Sequence, residues 1–233
     1  MGSIPDNLQA VKGRIAGAAR AAGRDPAAVA LLAVSKTHAP ALIEQAYGAG
    51  QCAFGENYVQ EAAEKMDALA GLPIEWHLVG PLQSNKTRLV AARFQWVHTV
   101  DREKIARRLS EQRPEAMPPL QVLVQVNVSG EASKSGVAPS EAATLAMAVA
   151  ALPRLRLRGL MSVPEPTEDE PLQHARFRAV RELYETLKKG GLPMDTLSMG
   201  MSADMEAAIA EGSTMVRVGT AIFGERHKVK DAA

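Results

Sequence analysis

Little in this chain can cross-link, chelate or cross a membrane. Its one cysteine, Cys52, builds neither a disulfide framework nor a thiolate zinc site, and its apolar neighbours point to a buried packing role. The histidines, at positions 38, 77, 98, 174 and 227, lack metal-ligand spacing. No apolar run reaches the length of a membrane span, and the first residues lack the apolar core of a secretory signal. Met1-Gly2 opens like an acylation signal, but Asp6 stands where that signal needs Ser or Thr. Charge of one sign is also missing: a formal net charge of +1 gives no reason to expect nucleic acid or an anionic membrane as partner. A cytoplasmic protein is expected, in which any small anionic ligand is held by a local site. Aromatic residues make up only 4% of the chain and alanine is abundant, so helices are expected to pack closely through small side chains.

What is present is a regular alternation of strand-like and helix-like segments. An amphipathic helix over residues 6–22 carries Leu8, Val11, Ile15 and Ala18 on one face. Strands then fall at residues 29–36, 51–54, 74–79, 96–100, 120–127, 155–161, 196–199 and 214–219. A helix-like stretch follows each, and after the last there is only a short helical tail. Such alternation implies a parallel sheet. Eight units in 233 residues point to a single (β/α)8 TIM-type barrel domain over residues 1–233, with an extra N-terminal helix; a doubly wound open sheet is the alternative. The acidic, proline-rich residues 163–171 read as an exposed loop after the sixth strand.

Barrels of this kind carry their chemistry at the carboxyl ends of the strands. The first strand ends in Lys36. Taken alone, Lys36 is a lysine pointing its ammonium at water; at the mouth of an apolar site it becomes an amine able to form a Schiff base with an aldehyde. The seventh strand runs into Met201 and Ser202, with Ser202 placed as a helix N-cap, and the eighth into Gly219 and Thr220. The last two loops of a barrel commonly hold phosphate, because glycine admits a close approach and free N–H groups and hydroxyls donate to it. On the eighth strand Met215, Arg217 and Gly219 share a face, so Arg217 points inside the barrel just below Gly219. It needs a partner there. Either Glu56 or Glu75 supplies one, or a ligand does. Pyridoxal phosphate offers an aldehyde, a phosphate and a ring nitrogen that match Lys36, the last two loops and Arg217 together.

At these residues the chain resembles the pyridoxal phosphate homeostasis proteins. The matching stretches are Ala33-Val34-Ser35-Lys36-Thr37, Phe54-Gly55-Glu56-Asn57-Tyr58-Val59-Gln60, Trp76-His77-Leu78-Val79-Gly80-Pro81-Leu82-Gln83-Ser84-Asn85-Lys86, Val126-Asn127 with Ser133-Lys134-Ser135-Gly136, Arg158-Gly159-Leu160-Met161, Leu197-Ser198-Met199-Gly200-Met201-Ser202 and Val216-Arg217-Val218-Gly219-Thr220. The resemblance implies a fold like the barrel domain of alanine racemases, with the cofactor carried on Lys36 as an internal aldimine. It further implies that Ser202, Gly219 and Thr220 hold the phosphate and that Arg217 faces the pyridine nitrogen. Asn57 and His77 fall on the family's pocket-lining segments.

An arginine at the ring nitrogen makes the pyridine a weaker electron sink than an acid would. A racemase also needs a second base on the opposite ligand face. The related racemases take that base from a second domain, and the barrel leaves no chain for one here. The expected role is therefore non-catalytic: a monomeric carrier that sequesters the aldehyde and contributes to pyridoxal phosphate homeostasis, with pyridoxal-phosphate-dependent apoenzymes as transient recipients. A pyridoxal-phosphate racemase is the second reading, with His77 as the candidate base. A cofactor-free aldolase-type barrel using Lys36 is the third.

Overall fold

Eight short parallel strands hydrogen-bond in sequence order and close on themselves, β8 pairing with β1. They are β1 (Ala30–Val34), β2 (Ala53–Glu56), β3 (Glu75–Leu78), β4 (Trp96–Val100), β5 (Leu120–Gln125), β6 (Leu155–Met161), β7 (Thr196–Ser198) and β8 (Met215–Val218). The computed structural model describes residues 2–129 and 135–225; Ser133 and Lys134, in one of the stretches quoted above, lie outside them. Closure removes the open-sheet alternative.

Nine α-helices occur among the described residues: α1 (Ile4–Ala21), α2 (Pro40–Gly48), α3 (Val59–Ala68), α4 (Thr87–Arg93), α5 (Glu103–Gln112), α6 (Pro139–Ala150), α7 (Glu170–Lys189), α8 (Met205–Ala210) and α9 (Thr220–Phe223). None is long and apolar enough to cross a membrane. Several starts follow from the sequence. Ser3 caps α1, Asp169 caps α7, and proline occupies the first turn of α1, α2, α6 and α7, where its missing N–H costs nothing.

Parallel neighbours in register share a face, which sorts the strand residues into two layers. Ala33, Phe54, Trp76, Leu78, Val97, Val216 and Val218 face the helices and belong to the main apolar core. Leu32 pairs with Arg217, and Gly55, His77 and Trp96 pair across β2, β3 and β4; these face the barrel interior. Trp96, Leu123 and Met161 form a small apolar cluster there. Gly159 sits at φ 153, and a Cβ on it would meet the Thr196 carbonyl oxygen at 1.8 Å, so β6 and β7 approach where no side chain fits.

The last helix, α9, has four residues. The side it leaves open is covered by α1, which buries Ile4, Leu8, Val11, Ile15 and Ala19. Asn7 Nδ2 donates to the Ile222 carbonyl at 3.0 Å, and Arg14 Nη2 donates to the Ser202 carbonyl at 3.1 Å. Cys52 is exposed, contrary to the packing role its neighbours suggested: Phe54 takes the core-facing place on β2, and Cys52 precedes the strand.

Candidate functional site at the carboxyl ends of the strands

A cavity of about 320 Å³ opens at the carboxyl ends of the strands and is lined by Lys36, His38, Asn57, Met201, Ser202, Arg217, Gly219 and Thr220, with Val34, Val79, Val163 and Ala203. β1 ends at Val34, two residues short of the strand end expected at Lys36, so Lys36 sits just past it, after Ser35, and is partly buried. Its two backbone neighbours are fixed from behind. The Lys65 ammonium, buried under α3, donates to the Ser35 carbonyl at 2.7 Å and to Glu56 Oε1 at 2.8 Å. Glu61 accepts from the Thr37 N–H and pairs with Lys65 at 2.6 Å. Burial raises the Glu56 carboxyl above its usual range, while the charge of Lys65 pulls it down. Thr37 has φ 66, left-handed backbone that a β-branched residue adopts only under strain. That turn directs the chain away immediately after Lys36.

Gly80 positions the next wall. A Cβ there would meet the Asn57 carbonyl oxygen at 2.1 Å, so the loop after β3 rests directly on the loop after β2. Thr99 Oγ1 donates to the Gly80 carbonyl at 2.7 Å and ties both loops to β4.

Arg217 forms part of the floor. It is buried, and its Nη1 donates to the Ser198 carbonyl at 2.6 Å and to Ser198 Oγ at 2.7 Å. Its Nη2 donates to the Ser162 carbonyl at 2.8 Å. Burial pulls its pKa down to about 10, leaving it a cation at neutral pH. Neither Glu56 nor Glu75 is its partner, since Glu56 turns to Lys65 on the helix side and Glu75 to His77. No carboxylate pairs with Arg217 within ion-pair distance among the described residues. Ser162 Oγ, a neighbour of this floor, is buried with no hydrogen-bond partner among the described residues.

Ser202 lines the cavity without capping a helix. The cap of α8 is Asp204, and its carboxylate accepts from the Met201 N–H at 2.6 Å. Gly200, at φ 96, turns the chain two residues before Ser202. His77 stands apart from the other expected residues. It is fully buried inside the barrel, stacked on Trp96 at 5.2 Å and bonded to Glu75 and His98, and is not among the residues lining the cavity. The structure thus brings together Lys36, Asn57, Met201, Ser202, Arg217, Gly219 and Thr220. It adds His38, whose ring packs 5.2 Å from that of Phe223 on α9. Sequence reasoning passed over His38 because it looked only for metal spacing.

The donor set fits pyridoxal phosphate. The cavity has an amine for an aldehyde, hydroxyl and backbone groups of two converging loops for a phosphate, and a buried cation bonded only to neutral acceptors for a ring nitrogen.

Residues 7–227 match the family model described as the N-terminal domain of alanine racemase. A pyridoxal phosphate homeostasis protein of Pseudomonas aeruginosa is 61% identical over 226 residues, 97% of each chain. Another so named, from Escherichia coli K12, is 53% identical over 229 residues, covering 97% of this chain and 98% of that one. Among solved structures, PipY of Synechococcus elongatus with pyridoxal phosphate bound superposes with a TM-score of 0.84 at 36% identity, covering 95% of this chain and all of that one. Alanine racemase of Corynebacterium glutamicum shares the fold, with a TM-score of 0.71 at 20% identity over 97% of this chain and 64% of that one. The chain belongs to the family of the alanine racemase N-terminal domain and, within it, to the pyridoxal phosphate homeostasis proteins.

Proposed function

We propose that this protein binds pyridoxal phosphate through Lys36 and serves homeostasis of the cofactor in the cytoplasm, as a monomer that sequesters the aldehyde and yields it to apoenzymes. The observation that carries this reading is the convergence of Lys36, Arg217 and the loops after β7 and β8 on one cavity. The names of the relatives and the pyridoxal phosphate bound in PipY support it. When bound, the cofactor supplies an aldehyde that a lysine amine captures with loss of water.

The chain's own residues then have separate tasks. Lys36 attaches, with its backbone held by Lys65 and Glu61. Ser202, Gly219 and Thr220 receive the phosphate, and α1 braces that end through Arg14 and Asn7. Arg217 donates to the ring nitrogen and opposes its protonation, which suits holding the cofactor better than turning over amino acids. His77, the base considered for a racemase, lies outside the cavity wall. A racemase reading therefore falls to His38, the one imidazole lining the cavity among the described residues.

Borohydride reduction of the loaded protein followed by peptide mass analysis tests the assignment. Cofactor mass is expected on the Lys36 peptide, and Lys36→Ala removes the adduct while weaker phosphate-driven binding persists. Adduct on another lysine would overturn the attachment site. Exchange of an amino acid's α-proton at turnover rates would replace the carrier reading with the racemase one.

A further inference from the structure

Beneath the cavity, polar side chains cross the barrel interior in continuous contact. Glu75 opens β3 at the amino-terminal mouth and is half-exposed, with its Oε1 2.8 Å from His77 Nε2. His77 Nδ1 lies 2.9 Å from His98 Nε2, and His98 Nδ1 lies 3.0 Å from Ser198 Oγ. Ser198 Oγ accepts from Arg217 Nη1 at 2.7 Å. The chain therefore ends on the cavity floor, although none of Glu75, His77, His98 and Ser198 lines the cavity.

The hydrogen-bonding inventory allows this chain only one direction. Guanidinium can only donate, an ionised carboxylate can only accept, and a neutral imidazole has one N–H and one lone pair. His77 must then donate from Nε2 to Glu75 and accept at Nδ1 from the Nε2–H of His98. His98 accepts at Nδ1 from the Ser198 hydroxyl, which accepts from Arg217. Burial holds both imidazoles neutral, His98 well below its usual range, and the bond from His77 lowers the Glu75 carboxyl. Every bond points from the arginine to the carboxylate, so the dipoles reinforce one another. The other charges facing the chain stand at its ends. Arg158 lies 4.7 Å over the Trp96 ring near Glu75 and is itself paired with Asp195, while Asp204 lies near Arg217.

We propose that Glu75, His77, His98 and Ser198 form a positioning relay for Arg217, which fixes the guanidinium under the cofactor ring and carries the charge state of the amino-terminal mouth to the ring nitrogen. All four residues act through Arg217 and none touches the cofactor. The role at the ring rests on the cofactor reading above; the direction of the relay does not.

Two measurements test it. In the cofactor-free protein, nitrogen NMR of the imidazoles is expected to show the proton of both His77 and His98 on Nε2, with scalar coupling across the His98–His77 hydrogen bond. A proton on Nδ1 of either ring, or no coupling, overturns the relay whether or not the cofactor binds. In the loaded protein, Glu75→Gln keeps an oxygen acceptor for His77 and removes the charge. It is expected to move the pH midpoint of the visible absorbance by about one unit, a tenfold change in the equilibrium. Ser198→Ala is expected to shift it as well, and Ser198→Thr, which restores the hydroxyl, to return it. An unmoved midpoint in both Glu75→Gln and Ser198→Ala reduces these residues to packing. Failure of the wild type to load pyridoxal phosphate sinks the cofactor reading instead, and the first measurement then decides the relay alone.

Discussion

Lys65 holds the carbonyl of Ser35 at 2.7 Å, so one buried lysine fixes the backbone immediately before another lysine that faces the cavity. Lys65 also balances Glu56, whose second oxygen is buried without a hydrogen-bond partner among the described residues. Lys65→Met would leave that carboxylate uncompensated, and breaking a buried pair in this way costs about 3–5 kcal/mol. Urea denaturation at neutral pH should show a loss of this size. A loss below about 1 kcal/mol would mean that Glu56 is already protonated in the fold.

At Thr37 the expected effects on stability and attachment diverge. Thr37→Gly relieves left-handed strain of about 1–2 kcal/mol but frees the unfolded chain and removes the hydroxyl bond to the Lys36 carbonyl. Stability should therefore stay within about 1 kcal/mol of wild type. The rate of borohydride-trapped attachment at limiting pyridoxal phosphate should fall several-fold, because the residue after Lys36 keeps only its N–H bond to Glu61 and gains backbone freedom. An unchanged rate would show that the strained turn has no part in aiming Lys36.

Gly80→Ala should be far more disruptive than its added methyl suggests. The new Cβ would overlap the Asn57 carbonyl at 2.1 Å, and backbone must move because no flexible side chain can yield. A loss of about 1–3 kcal/mol is expected, as for other overpacked positions. It should be accompanied by weakened cofactor binding, measured by equilibrium dialysis, since Asn57 lines the cavity.

Acid should weaken the fold from below pH 6.5. His77 and His98 are buried and held neutral, so their folded pKa values lie below the ordinary 6.5. As pH falls through 6.5 the unfolded chain binds protons that the folded chain refuses, and stability drops by up to about 1.4 kcal/mol per pH unit for each imidazole. Glu75, lowered in the fold by its bond from His77, adds a further loss of the same sign only as pH falls through the ordinary carboxylate range. Urea midpoints at pH 7.5, 6.5 and 5.5 should fall more steeply in the wild type than in His98→Gln. Parallel curves would show that the rings titrate alike in both states.

Strand ends were legible in the sequence because barrel topology turns the last residue of each strand into a place. Lys36, Gly219 and Thr220 needed only the alternation of elements, and Arg217 only the two-residue period of β8. Asn57 was legible from its place just after the second strand and from the family resemblance together. Sidedness deeper in the barrel was harder. His77 sits one layer too low to reach the cavity, a matter of strand stagger that no period reveals. Its partner His98 showed nothing but an apolar strand around it, and Lys65 looked like any solvent-facing helical lysine until Glu56 was placed behind it. Ser202 met the composition rule for a cap, yet the chain turns at Gly200 and the N-cap place of α8 falls to Asp204, whose side chain bonds back to Met201 rather than capping the helix. Cys52 misled because flanking residues describe burial poorly just before a short strand.

The packing of α1 against α8 and α9 also bears on how the protein is made. A ribosome releases α1 first, with its face of Ile4, Leu8, Val11 and Ile15, but its partners Glu206 and Ile222 emerge some two hundred residues later. Until then that face can pack only against α2 and the turn at residues 26–28, and the part that α8 and α9 cover stays open. The seam between β1 and β8 closes last for the same reason, and the site draws Lys36 from one side of it and Arg217, Gly219 and Thr220 from the other. Contacts so distant along the chain form slowly. A nascent chain therefore has no complete cavity until Arg217, Gly219 and Thr220 have emerged.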